Sequence, residues 1–235
     1  MDFVHEHRAA WAKKPALRDA YRELFDRIRG ACTPEAPTVE LGSGPGFFKE
    51  AHPDIVATDV FAHPHAELVA DAEALPFADA SIANLVMLDV FHHLPKPTRF
   101  LAEAARVLKP KGRLVMIEPW LSLSGYTFYR FLHHEDCDPS SPPFDPFTGL
   151  KDPMEGNAAL PYVYFRSDGV FFGLGLPLRI VRREPFSGLP WLLTGGFSGP
   201  SLTPLLPVAR VLEPYLCRFP RLFSTRCLIV LERST

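Results

Sequence analysis

Cysteine is scarce in this chain. The four residues, Cys32, Cys137, Cys217 and Cys227, lie at long irregular gaps with no CxxC pair. Zinc sites want closely spaced ligand pairs, and disulfide frameworks belong to short secreted chains. Free thiols in a reducing, cytoplasmic setting are therefore expected. Charge of one sign is also missing. The formal net charge is -2 and no basic stripe is present, which argues against a nucleic-acid partner. A long apolar run is absent too. The longest uncharged stretch, 185–209, holds five prolines and four glycines, which no spanning helix tolerates. The opening residues MDFVHEHRAAWAKK carry charge where a leader peptide needs an apolar centre, so none is expected.

What the chain does have is a globular balance. Apolar residues at 47% against 22% charged supply the surface that a disordered chain lacks. A length of 235 residues suits a single domain, 1–235, with an appended cap. Proline is in excess, at 25 residues, and crowds the part beyond residue 120.

Near the N-terminus Leu17, Tyr21, Leu24, Phe25 and Ile28 fall at helical spacing, and Gly30 ends the pattern. From 38 to 118 the pattern is α/β. Short apolar runs at 38–41, 55–58, 68–70, 82–90 and 113–117 read as strands buried by helices on both faces. A helix is predicted over 97–108, with Pro97 near its start and Pro110 forbidding continuation. Further on, 122–131 and 205–216 read as helices, the second interrupted near Pro214. The runs 178–183 and 226–232 read as strands, and 134–161 as irregular.

The sharpest signal is Val39-Glu40-Leu41-Gly42-Ser43-Gly44-Pro45-Gly46-Phe47-Phe48. A strand runs into a turn with glycine at alternate positions, where backbone can take positive φ and approach a ligand. Such turns lie at the carboxyl edge of parallel sheets, where open α/β folds bind ligands. A dinucleotide loop would put its third glycine where Phe47 stands. Glu40, just before the first glycine, would repel a pyrophosphate and welcome a cation.

This segment resembles the first motif of class I S-adenosylmethionine-dependent methyltransferases, and the likeness continues to about Pro119. Asp59 ends the second strand 19 residues after Glu40. The resemblance gives it the ribose hydroxyls, with Val60 beside it. Asp71-Ala72 is similar to the stretch that holds the adenine. Leu88-Asp89-Val90-Phe91-His92-His93-Leu94 resembles the end of the fourth strand beside the cofactor. Arg106-Val107-Leu108-Lys109-Pro110-Lys111-Gly112 matches the turn into the fifth, where the family has a second glycine at Lys111. The expected cofactor contacts are thus Glu40, Gly42, Ser43, Gly44, Gly46, Asp59, Val60, Asp71, Ala72 and Leu88. The implied fold is a Rossmann-like, doubly wound, mostly parallel seven-stranded sheet with an antiparallel last strand. Residues 38–119 would hold S-adenosyl-L-methionine, while 1–37 and 120–177 would cap the acceptor as an N-terminal helix and an inserted lid.

The implied reaction is in-line methyl transfer to a small-molecule or lipid-like acceptor, most simply at oxygen. An oxygen acceptor needs a base, and His93, His133 and His134 are the candidates. His92 is expected to pack against the helix after the fourth strand, and His93 to face the cofactor. His133-His134-Glu135-Asp136-Cys137-Asp138 reads first as a solvated loop, second as a catalytic histidine on the lid, and third as a metal site; no metal is assigned. Tyr162, Tyr164, Phe165, Phe171 and Phe172 combine core packing with an acceptor lining. The run 185–209 reads as a buried crossover loop before it reads as a greasy surface for a lipid-like acceptor, a membrane face or a dimer partner. Two rivals stay open: a non-catalytic binding or scaffold module, and a nicotinamide-dependent oxidoreductase.

Overall fold

A computed structural model describes residues 2–144 and 155–235. Its centre is a seven-stranded sheet of order β3-β2-β1-β4-β5-β7-β6. The strands are β1 (Thr38–Leu41), β2 (Val56–Asp59), β3 (Leu68–Val69), β4 (Ile82–Leu88), β5 (Leu108–Pro119), β6 (Leu178–Phe186) and β7 (Arg226–Arg233). The β1–β5 pairings are parallel, whereas β7 runs antiparallel to both β5 and β6. The sheet therefore has the mostly parallel order, with an antiparallel last strand, that the sequence implied.

Both faces are covered, which is why the inner strands are predominantly apolar. On one face Leu85, Met87, Leu114, Met116, Ile229 and Leu231 meet Phe100, Leu101 and Ala104 of α4 (Pro97–Val107). On the other, Val86, Val115, Leu228 and Val230 meet Leu17, Leu24, Phe25 and Ile28. The two sets alternate along each strand, as the two-residue period requires.

The N-terminal helix is two helices, α1 (Asp2–Lys13) and α2 (Pro15–Arg29). Pro15 has no N–H to continue the first and starts the second. The short α3 (Phe47–Ala51) follows the glycine-rich turn. β5 begins at Leu108 rather than at 113. The stretch expected as a turn is absorbed into the strand opposite Ile82, with a register shift between Ile82 and Asn84 and Lys111 at φ 64°. After β5 come α5 (Leu123–Phe131), whose Ser122 hydroxyl caps the Gly125 N–H at 3.1 Å, and α6 (Leu160–Phe165). The part of the expected lid at 145–154 lies outside the described residues.

The crossover from β6 to β7 corrects the expectation of a buried loop. It carries α7 (Leu189–Leu193), α8 (Leu206–Leu216, with Pro214 inside it) and α9 (Pro220–Phe223). Pro190 and Thr194 are buried, but Leu202, Leu205 and Val208 are each at least half exposed. The prolines punctuate short helices whose outer faces no other element covers among the described residues. Among the described residues no helix is long and apolar enough to cross a membrane.

One buried amide ties the connector before β1 to the sheet. Asn84, fully buried in β4, accepts the Thr33 N–H at 2.8 Å and donates to the Thr33 and Glu35 carbonyls at 3.1 and 3.0 Å. Asn84→Leu leaves those groups unmatched and should lower stability by about 2 kcal/mol. Urea unfolding is the check; an unmoved midpoint would mean that water replaces the amide at no cost.

Candidate functional site

β1 and β2 end side by side, and the turn between β1 and α3 folds over them. Gly42, Gly44 and Gly46 all take positive φ, at 69°, 47° and 79°. A Cβ at 42 would lie 2.6 Å from Val90 Cγ2, and one at 46 would lie 2.9 Å from His65 Cβ. At Gly44 a Cβ would meet nothing within 4 Å, so the open side of the turn is there. The Ser43 N–H donates to the Thr58 carbonyl and the Gly44 N–H to Asp59 Oδ2, both at 2.9 Å. Phe47 starts α3, is buried, and stacks on Trp11 of α1 at 3.8 Å. Arg8 donates to the Pro45 carbonyl at 2.6 Å and pairs with Glu50, so α1 rests on the turn.

Two acids occupy this corner. Asp59 is buried at the end of β2 and also accepts the Phe61 N–H at 3.0 Å; His63 Nε2 stands 3.5 Å from Oδ2. Glu40 is buried in β1, and its Oε2 has no partner among the described residues. Burial first, and the Asp59 charge second, hold the Glu40 carboxyl well above the usual range. Ser43 Oγ is buried and equally unmatched. The corner thus offers oxygen acceptors and repels anions. Val60, 48% exposed, follows Asp59. Asp71 is exposed just past β3, accepts the Glu73 N–H at 2.8 Å, and has buried Ala72 behind it. Leu88 ends β4 opposite Ile117. These residues share one edge of the sheet.

A second cluster lies at the ends of β4 and β5, and it corrects two expectations. His92 does not merely pack. Buried in the 3-10 turn Phe91–His93, it bonds Glu118 Oε2 through Nδ1 at 2.6 Å and Glu135 Oε2 through Nε2 at 3.0 Å. Burial pushes the His92 imidazolium down, but the two carboxylates outweigh it and raise the pKa to about 10. Glu118 is fully buried; its Oε1 accepts the Val90 and Phe91 N–H groups at 2.9 and 2.8 Å. The segment after α5 is not simply a solvated loop either. Its Cys137 is buried and its Glu135 side chain is 11% exposed. Burial raises the Glu135 carboxyl, yet His92, His93 and His133 bring it down to about 2. His93 Nε2 lies 3.5 Å from Glu135 Oε1, and His133 Nδ1 lies 3.8 Å from Oε2. Burial, chiefly, lowers the His133 pKa. His134, with its side chain 81% exposed, stays in solvent 3.7 Å from Oε1.

Asp89 and Arg226 escaped sequence reading. Asp89 follows β4 at φ 57° and binds Arg226 Nη1 at 2.6 Å. Arg226, at the start of β7, is buried, with its guanidinium 3.8 Å from the Trp191 ring centroid and Nε without a partner among the described residues. Asp89 stood inside a quoted motif, and a lone arginine opening an apolar strand was the available hint of its partner.

An open, doubly wound sheet with a glycine-rich turn and an acid at each of its first two strand ends defines a Rossmann-like nucleoside-binding domain. Residues 39–116 match the family model described as a methyltransferase domain. The stretch it matches is the part of the chain whose motifs resemble class I S-adenosylmethionine-dependent methyltransferases. The chain is 29% identical over 140 residues to malonyl-[acyl-carrier protein] O-methyltransferase of Methylococcus capsulatus, covering 47% of this chain and 51% of that one. It is 45% identical over 47 residues to 27-O-demethylrifamycin SV methyltransferase of Amycolatopsis mediterranei, covering 20% and 17%. The chain spans about half, or less, of the length of the curated relatives it matches. Among solved structures, a SAM-dependent methyltransferase of Thermotoga maritima matches over 100% of both chains with a TM-score of 0.58 at 18% identity. Another, from Archaeoglobus fulgidus, matches over 92% and 94% with a TM-score of 0.55 at 18% identity. These structural likenesses carry the fold.

The Asp89–Arg226 pair makes the sharpest energetic claim. Asp89→Ala leaves a buried guanidinium uncompensated and should cost roughly 3 kcal/mol. Replacing both residues together, as Asp89→Ala with Arg226→Met, should cost less than the single change. Urea unfolding of the two variants decides it; equal losses would mean that the pair is not coupled.

Proposed function

We propose that this chain transfers a methyl group from S-adenosyl-L-methionine to an apolar, lipid-like acceptor, at oxygen. The observation that carries the cofactor half is the unmatched Glu40 carboxylate, buried beside a turn whose open side is at Gly44. A sulfonium amino acid brings the donor groups and positive charge that Glu40 and Ser43 lack. A ribose brings two hydroxyls to Asp59, and the adenine would lie near Asp71, Ala72 and Val60. A nicotinamide dinucleotide would place a pyrophosphate against Glu40, which that carboxylate repels. When bound, the cofactor supplies an activated methyl. The residues of this chain then position and exclude water, with α1 lying over the turn.

The acceptor side stands at the ends of β4, β5 and β7. A groove of about 310 Å³ opens there, lined by Leu123, Thr127, Phe128, Leu132, Leu222 and Phe223. Leu132 directly precedes His133, and Phe223 lies three positions before Arg226. An apolar lining a few residues from the polar cluster suits an acceptor with a hydrocarbon body and one oxygen. The similarity to an O-methyltransferase of acyl-carrier-protein substrate supports the same atom. His93 and His133, gathered on Glu135, are placed to take a hydroxyl proton; exposed His134 is the weaker candidate. Residues 1–37 and 120–177 form the cap on this reading, joined by the β6–β7 crossover.

Titration calorimetry with S-adenosylhomocysteine and with NAD tests the cofactor. The first should bind and the second should not; no heat with either favours a scaffold module. Asp59→Ala should weaken S-adenosylhomocysteine by roughly 100-fold, since two charge-assisted hydrogen bonds are lost at about 1.5 kcal/mol each. An unchanged affinity would remove the ribose assignment. Glu40 adds a pH dependence. Its raised pKa means that the proton must leave before the carboxylate can meet a cation. Affinity should therefore climb as pH rises from the ordinary carboxylate range, and Glu40→Gln should flatten that slope. An affinity that falls over the same range would reverse the sign and sink the cation contact.

A further inference from the structure

We propose that His92, His93 and Glu135 form a binding site for a divalent transition-metal ion, zinc being the best chemical match. Both imidazoles are held by oxygens on Nδ1. The Glu118 carboxylate binds His92 Nδ1 at 2.6 Å, and the Glu155 carbonyl binds His93 Nδ1 at 2.9 Å. This is how ligating histidines are oriented: the proton is fixed on one nitrogen and the other faces the metal. The two Nε2 atoms converge on one carboxylate, His92 at 3.0 Å from Oε2 and His93 at 3.5 Å from Oε1. One ligand atom from each residue lies within 4.8 Å of the other two. The 3.0 and 3.5 Å separations fit metal–ligand bonds of about 2.0–2.2 Å meeting at a common centre, and a small rotation of the rings brings the third pair into reach.

The packing supports a built site. Gly156 presses backbone against both rings: a Cβ there would lie 2.9 Å from His92 Cδ2 and 3.0 Å from His93 Cε1 and Nδ1. The Asn157 N–H, at 3.0 Å, holds the His92 carbonyl from the same segment. Binding of the ion displaces the second imidazole proton that the two carboxylates favour on His92, and the Glu118 and Glu135 charges are then balanced by the single divalent ion. The neighbouring trio of Asp89, His92 and Glu118 is spent otherwise, because Asp89 holds Arg226 and Glu118 holds two N–H groups. Two imidazoles and a carboxylate favour zinc or a similar borderline ion over magnesium or calcium, which take oxygen. Among the described residues three protein ligands are gathered, one fewer than a tetrahedral ion takes. With the ion bound, His93 is a ligand and His133 is left as the base; that the open position serves an acceptor oxygen rests on the methyl-transfer reading, and binding of the ion does not.

The test is equilibrium dialysis of the full chain against Zn²⁺, with Co²⁺ as a visible-absorption probe of nitrogen and oxygen ligation. One ion per chain is expected. Glu135→Gln and His93→Gln should each weaken it by roughly 100-fold or more, and Glu118→Gln by about 10- to 100-fold. His5→Ala, at an exposed position of α1, should leave it unchanged. Circular dichroism reports whether each variant folds, and the Glu135 and His93 changes stand in for one another if one does not. No stoichiometric ion, or binding unaltered by Glu135→Gln, overturns the site. S-adenosylhomocysteine calorimetry on the same samples keeps the readings apart: heat without a metal sinks only the metal, and a metal without heat sinks only the cofactor.

Discussion

Full or partial burial of carboxylates along one edge of the sheet is the constraint around which the rest is arranged. Glu40 lies in β1, Asp59 ends β2, Asp89 follows β4, Glu118 lies near the end of β5, and Glu135 arrives after α5. In water these groups are unremarkable. In a low-dielectric interior each requires an opposite charge or several N–H donors. Asp59 takes two backbone amides, Asp89 takes Arg226, and Glu118 takes two amides and a histidine. Glu135 draws in the side chains of His92, His93 and His133. Glu40 is left with an unmatched oxygen, and so it is the place where a ligand can supply what the chain does not.

How much of this was legible depends on the range of each interaction. The glycine turn and Asp59 were readable because their geometry is local: a strand, a turn and a second strand set them within twenty residues of one another. The alternating apolar strands were readable for the same reason. The His92 network was not. Its carboxylates lie 26 and 43 positions away, and Asp89 is 137 positions from Arg226. Periodicity carries no trace of such pairs. The start of β5 was misjudged because Lys109-Pro110-Lys111-Gly112 has turn composition. Pairing with β4 overrides that preference, and Lys111 accepts a left-handed conformation that glycine would take without strain.

The wall over the glycine turn comes from segments far apart in the chain. Trp11, Phe47 and Phe197 stack in sequence, with Phe197 also 4.0 Å from the His7 ring. Lys14 Nζ holds the Gly196 and Gly199 carbonyls at 2.8 and 2.7 Å. The N-terminal helices and the β6–β7 crossover therefore meet over the glycine turn. This explains why 185–209 is apolar without being a core loop: its inner side lines that junction, and its outer side is left to solvent.

Arg226 fixes where the junction sits. A buried arginine–aspartate pair seldom adds stability over a hydrophobic pair of similar volume, because desolvation of two charges offsets their attraction. Its value is positional. Arg226 opens β7 in register with Phe186 and Pro119, and its guanidinium is at once bound to the residue after β4 and covered by the Trp191 ring from the crossover. A slip of β7 by one residue would turn that side chain to the other face of the sheet and strand Asp89. The pair thus locks the last strand, the crossover and the end of β4 into one arrangement, which is what a site assembled from all three needs.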